Sequence, residues 1–228
     1  MIMMAVICIA GSALNIVITK LCFYAEIPLY LDTILTVSIT MTCGLFWGVL
    51  CGFLTNFINH FFWGWGWEGY LFIICNAATA FVTWLIIRLF PQELNLRADK
   101  ITAESAKSQV LKTIQTISAA NKSNRFGIIM DRVIVLIILS FALCLAMSFL
   151  GGLIAAIILS LSSSYNFAAS GIDSIFSATM FNENTPILIS EIASRIPVNI
   201  IDRSISAFGG FGIALCIRRL TKRRQLPA

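Results

Sequence analysis

Long runs of apolar residues dominate the chain. A membrane-crossing helix needs about 20 mostly apolar residues. Six stretches read as such segments: Ile2 to Phe23, Leu29 to Thr42, Gly44 to Phe62, Tyr70 to Phe90, Val133 to Leu161 and Ile187 to Ile217. The second is short and carries Asp32 near its start. The first has no positive lead-in before its apolar run, which argues against a cleaved signal peptide, so it is read as a retained helix. The expected fold is all-α: one membrane domain over residues 1–228, a bundle of six transmembrane helices.

Composition strengthens this reading. Of 228 residues, 58% are apolar and 12% charged, with a mean hydropathy of +0.89. A soluble domain is nearer half apolar and a quarter charged, so there is too little charge here for a polar shell. Disordered, collagen-like and disulfide-framework classes are excluded by the same arithmetic. The seven cysteines lie in or beside apolar runs without a CxxC pair, as small buried or lipid-facing side chains do.

Charge sets the expected orientation. Thirteen of the sixteen Lys and Arg residues fall in two blocks, Arg88 to Arg132 and Arg218 to Arg224. Basic loops stay on the cytoplasmic side, so both termini are expected there, in a plasma membrane crossed six times. The outer loops then lie near Tyr24 to Tyr30, Trp63 to Gly69 and Ser162 to Pro186. Lys20, near the outer end of the first segment, can snorkel, with Glu26 close enough in sequence to pair with it. A cytoplasmic insert at about 91–126 is the only soluble-looking stretch. Within it Val110, Leu111, Ile114 and Ile117 recur at helical spacing, which suits an amphipathic helix on the membrane surface or against a partner. The terminal basic run reads as a topological anchor against anionic headgroups rather than a nucleic-acid contact.

Catalytic signatures are missing from the sequence. There is no GxxxxGK[ST] phosphate loop, and no GxSxG elbow. The single histidine, His60, rules out HExxH and any multi-histidine zinc site. The expectation is binding or passage rather than enzymatic turnover, with no metal and no cofactor.

Candidate chemistry lies on three segments. Gly44, Gly48 and Gly52, four apart, line one helix face and allow close backbone approach. Ala10, Gly11 and Ala13 form a similar small-residue patch, suited to internal packing or to docking a membrane partner. Asn56, Asn59 and His60 share a face near the outer surface, followed by Trp63, Trp65, Trp67 and Glu68. Those tryptophans suit either an interfacial belt or an aromatic wall for a flat ligand. On the last segment, Glu191, Arg195, Asn199 and Asp202 form one stripe, with Arg203 about 100° away.

Ionisable groups inside a span normally face the protein interior or a wet cavity. Glu191 and Arg195 can neutralise each other at i, i+4. Asp202 and Arg203 lie deeper, where pairing with Asp32 or another helix would be structural and a polar pocket functional. Asp32 offers the same choice beside Tyr30 and Thr33. The expected solute pocket comprises Tyr24, Tyr30, Asp32, Asn56, Asn59, His60, Trp67, Asn76, Glu191, Arg195 and Asn199.

Taken together, Ile27-Pro28-Leu29-Tyr30-Leu31-Asp32-Thr33, the Gly44/Gly48/Gly52 helix with Thr55-Asn56, and Arg195-Ile196-Pro197-Val198-Asn199-Ile200-Ile201-Asp202-Arg203 with Gly209-Gly210-Phe211-Gly212 carry a family likeness. The chain resembles the S components, the substrate-binding membrane subunits of energy-coupling-factor (ECF) vitamin transporters. That resemblance implies capture of a vitamin or similar micronutrient near the outer face, under a first outer loop that closes over it. It also implies a separate T membrane subunit and two ATPases as partners, with Ala10, Gly11 and Ala13 approximating the family's docking pair. A second reading is a membrane sensor or scaffold that detects a small ligand and signals through a cytoplasmic partner.

Overall fold

The computed structural model describes residues 1–63, 67–94, 114–161 and 186–223, and every regular element among them is helical. The helices are α1 (Ile2–Tyr24), α2 (Ile34–Cys43), α3 (Leu45–Trp63), α4 (Ile73–Leu89), the short α5 (Pro91–Leu94), α6 (Ile114–Leu161) and α7 (Ile187–Arg223). A 3-10 turn over Trp67–Phe72 leads into α4. Five of these elements are long and apolar enough to cross a membrane, and α2 is a shorter apolar helix. Large apolar side chains such as Val6, Ile9, Phe53, Phe141 and Phe149 are exposed, while Asn15, Thr33, Thr55, Asn76, Asp202 and Ser206 are buried. Apolar outside and polar inside is the build of a multi-pass membrane protein, since lipid accepts the apolar surface and unsatisfied polar groups must turn inward.

Contacts between named residues give the directions of the helices. Cys8, Ser12 and Asn15 of α1 bond to Trp47, Cys51 and Thr55 of α3 in rising order, so these two helices run parallel. α2 runs against both: Gly48 sits on Thr40, while Thr36 meets Cys51. In the second half, Gly152 abuts Ile192, Ser148 meets Asn199, and Cys144 meets the Ile196 carbonyl, so α6 and α7 are antiparallel.

The centre of the bundle is α2. All eight residues from Ile34 to Met41 are buried, as expected of a helix surrounded by other helices. Its own threonines return hydroxyl protons to the preceding turn, Thr40 to Thr36 O at 2.7 Å and Thr42 to Ser38 O at 2.9 Å. At about 1.5 Å per residue, its ten residues cover roughly half of a hydrocarbon core about 30 Å thick. The expected helix from Leu29 is therefore shortened: Leu29 to Thr33 is irregular, and Leu31 holds a left-handed φ of +47°.

Glycines set the closest helix approaches. Gly44, at φ +99°, makes the turn from α2 to α3, a conformation that suits glycine because it has no Cβ. A Cβ on Gly52 would lie 3.0 Å from Asn76 Cβ and 3.1 Å from its carbonyl oxygen. One on Gly152 would lie 2.9 Å from the Ile192 backbone, and one on Gly210 2.9 Å from the Ile34 carbonyl oxygen.

α6 is 48 residues long, about 70 Å at 1.5 Å per residue. It carries Ile114 and Ile117 on the same continuous helix that enters the apolar region. Val110, Leu111 and most of the 91–126 insert lie outside the described residues.

Candidate functional site

A charged cluster lies in the middle of the bundle, midway along α7. The Arg203 guanidinium is 3.1 Å from Asp202 Oδ2 and 3.9 Å from Asp32 Oδ1, and its Nη1 donates to Thr33 Oγ1. Thr33 in turn exchanges a hydrogen bond of 3.2 Å with Ser206. Asn76 of α4 donates to Asp32 Oδ2 at 3.0 Å. The glycine at 52 is what allows α4 to bring Asn76 this deep.

The irregular segment before α2 is fastened by the same cluster. Asp202 Oδ1 accepts the Leu31 N–H at 2.8 Å, and the Tyr30 backbone also hydrogen-bonds to this carboxylate. Irregular backbone is tolerated at membrane depth only where protein or a wet cavity satisfies its polar groups. Asp202, with no exposed surface, supplies that satisfaction and holds Leu31 in its strained conformation.

About two turns toward the start of α7, Arg195 Nη2 lies 3.6 Å from Glu191 Oε2. Its guanidinium carbon sits 5.7 Å from the centre of the Phe72 ring, a cation–π contact. Gly151 of α6 leaves room for this side chain. Asn199, between the two charged groups, donates to Ser148 Oγ at 2.9 Å. Cys75 of α4 lies within electrostatic range of Arg195, Arg203 and Asp32, so the charged groups share one interior.

The structure thus brings Asp32, Asn76, Glu191, Arg195 and Asn199 to one polar core built by the 25–33 segment, α4, α6 and α7. Asn56 and His60 sit at its border and support the turn over Trp67–Phe72. Asn56 donates to the Phe72 carbonyl at 3.1 Å, and the His60 ring lies 5.7 Å from that of Tyr70 with Gly69 pressed against it. Phe72 therefore links this border to Arg195 through its ring. Asn59 keeps a buried amide oxygen without a hydrogen bond among the described residues. Tyr24 is 76% exposed, outside the polar core, and Tyr30 is half-buried. The Trp67 side chain lies outside the described residues.

The expected small-residue patch on α1 divides. Gly11 is buried against Ile39 and Leu35 of α2, whereas Ala10 and Ala13 are exposed. Only the alanines are available to a partner.

Sequence reasoning set Asp202 and Arg203 outside the candidate pocket and did not include Thr33, Ser148 or Ser206. Ser206 continues the 199–202/203 stripe by one more turn, a signal that was present in the spacing. Ser148 carried no such signal, because only the packing of α6 on α7 gives it a partner.

A second polar group lies between α1, α2 and α3. Asn15 donates to Thr36 and Thr55 at 3.3 and 3.4 Å and accepts the Leu35 N–H at 3.0 Å. A shallow groove between α6 and α7, lined by Ile137, Phe141, Cys144, Ile200, Ser204 and Phe208, is largely apolar. Comparison with protein-family models, with curated proteins and with solved structures finds no match for this chain.

Proposed function

We propose that this chain is the substrate-binding subunit of an ECF-type importer. In this reading it captures a vitamin-like small solute at the outer face of the plasma membrane. A T membrane subunit and two ATPase subunits then drive uptake. The carrying observation is the polar core: Asp32, Asp202 and Arg203 cluster inside a membrane-crossing bundle and are bonded to the segment that precedes α2, with the Glu191–Arg195 pair farther along α7. Charges at such depth are costly, and solute or ion pathways and ligand counter-ions are among the uses that retain them.

Six crossings with both ends cytoplasmic complete the proposal. The 25–33 segment and α2 together make the second crossing, and the basic blocks hold the inner side. A cysteine placed at Glu26 should react with a membrane-impermeant reagent in intact cells, and one at Asp131 should not. Both positions are exposed, Glu26 in the turn after α1 and Asp131 within α6 before its apolar stretch. The reverse pattern would overturn the orientation.

The function itself is tested by purification in mild detergent followed by mass spectrometry. A vitamin-sized solute together with ATPase subunits is the expected result. A histidine kinase or other signalling protein, with no small molecule, would replace this reading with a ligand-sensing module.

A further inference from the structure

The groove between α6 and α7 lies on the outside of the bundle, where Ile137, Phe141, Ile200 and Phe208 line it and are exposed. Its polar atoms are already occupied. Ser140 donates to the Leu136 carbonyl at 2.8 Å, Ser204 to that of Ile200 at 2.6 Å, and the Cys144 thiol to that of Ile196 at 3.8 Å. An occupant gains nothing by offering hydrogen bonds, so the groove suits an apolar chain. Its volume is about 190 Å³, below the roughly 300–1,000 Å³ of pockets that enclose a compact solute. A partner helix, about 10–12 Å across with its side chains, enters such a space only by single side chains. The rim is also built of large residues rather than the small ones that bring membrane helices together. In a bundle that crosses a membrane, the occupant these features fit is a lipid tail.

Along α7 the groove runs into charge. Ile200, Ser204, Phe208, Phe211, Leu215 and Arg218 are spaced by four, four, three, four and three. At about 100° per residue they stay within a face about 80° wide, with Arg219 at its edge. Phe211 and Leu215 are half-buried, and Arg219 is exposed. An apolar strip therefore connects the groove to the two arginines. At about 1.5 Å per residue, Phe208 lies about 15 Å from Arg218 along the helix axis. One leaflet, half of a hydrocarbon core about 30 Å thick, has the same depth. A lipid whose headgroup meets Arg218 and Arg219 thus ends its tail in the groove, and the charge of those residues favours an anionic headgroup.

We propose that the α6–α7 seam is a selective site for an anionic phospholipid. Its phosphate lies against Arg218 and Arg219, and one acyl chain follows Leu215, Phe211 and Phe208 into the groove. A basic anchor meets any anionic surface, whereas this site holds one lipid in register. It is separate from the polar core and does not depend on what the core binds.

The test uses the full chain, purified in mild detergent and delipidated, with native mass spectrometry and thermal unfolding as readouts. The probes are dioleoyl phosphatidylglycerol, dioleoyl phosphatidylcholine and inorganic phosphate. Saturable retention of one phosphatidylglycerol in preference to phosphatidylcholine is expected. Its affinity should fall at least about 10-fold in the double variant Arg218→Gln with Arg219→Gln. Ser204→Leu, which fills the groove, should weaken it similarly. Arg88→Gln, on α4 and stacked on Trp84 outside the groove, should leave it unchanged. Equal retention of both lipids, or equal weakening by Arg88→Gln, would reduce the site to diffuse basic attraction and overturn the proposal. Full affinity in Ser204→Leu would remove the tail from the groove and overturn it as well. Stabilisation by inorganic phosphate as strong as by lipid would assign the arginines to a free anion instead. A photocrosslinker at Phe208 that captures a polypeptide rather than lipid in native membranes would give the groove to a partner helix, against the proposal. The choice of the unaltered chain between the two lipids decides selectivity if a variant fails to fold.

Discussion

Replacing Arg203 by glutamine should be far more damaging than replacing Asp32 by asparagine, although both remove one charge from the same cluster. At an effective dielectric constant of about 20, a unit ion pair at the 3.1 Å of Asp202 is worth about 5 kcal/mol, and one at the 3.9 Å of Asp32 about 4 kcal/mol. Arg203→Gln removes both attractions and the donor to Thr33, and it leaves two carboxylates facing each other in the interior. Loss of one partner from a buried pair typically costs about 3–5 kcal/mol, and that is the expected destabilisation. Asp32→Asn leaves the tighter Asp202–Arg203 pair in place and removes the surplus charge. The asparagine oxygen can still accept from Asn76, so the expected cost is below about 1 kcal/mol. Equilibrium unfolding in mixed micelles measures both. Equal destabilisation by the two variants, or a larger loss for Asp32→Asn, would refute the charge accounting.

Other outcomes follow from the packing and the site. Gly152→Ala and Gly210→Ala each place a methyl within 2.9 Å of a neighbouring backbone and should cost about 1–3 kcal/mol in the same assay. Gly212→Ala meets nothing within 4 Å and should be neutral or slightly stabilising. Gly11→Leu should destabilise the isolated chain because Ile39 and Leu35 occupy that space. Ala13→Leu, on the exposed face, should leave stability unchanged, and a pull-down would read whether it weakens association with a membrane partner. Arg195→Gln combined with Glu191→Gln should keep the fold while weakening solute binding roughly 10-fold or more, measured by thermal shift with the co-purified solute.

The long helices are readable in the sequence because about 20 successive apolar residues admit few other structures in lipid. The second segment defeats that reading for a specific reason. Leu29, Tyr30 and Leu31 are apolar enough to open a helix, yet Asp202, 171 positions away from Leu31, holds its N–H while Leu31 sits at a left-handed φ of +47° that a right-handed helix does not admit. No local pattern announces such a partner. The glycines at 44, 48 and 52 are a regular series in sequence but divide their roles in space. Gly44 turns the chain, Gly48 meets α2, and Gly52 meets α4. For Ala10, Gly11 and Ala13 the helical period already separates the middle residue, since each step along a helix rotates the side chain by about 100°. Adjacency in sequence was the weaker guide there. The stripe on α7 was visible from its spacing, while the identity of its partners depended on tertiary contacts.

Two polar groups in this bundle look alike in the sequence and differ in kind once their partners are known. Asn15 is neutral, spends its amide protons on Thr36 and Thr55, and accepts from the Leu35 backbone. A neutral group with donors and acceptor occupied gains nothing further from a ligand, and its work is to lock α1, α2 and α3 in register. The Asp32–Asp202–Arg203 group has the same depth and similar small-residue neighbours, but it ends with one carboxylate more than its guanidinium can neutralise. A purely structural role would be served as well by a balanced pair, because Asp202 alone already holds both Arg203 and the Leu31 backbone. Asp32 is the member whose removal leaves that scaffold intact, and it is also the most exposed carboxylate of the three. The two aspartates therefore carry unequal shares of the scaffold. That inequality is why Arg203→Gln and Asp32→Asn should part in an unfolding assay.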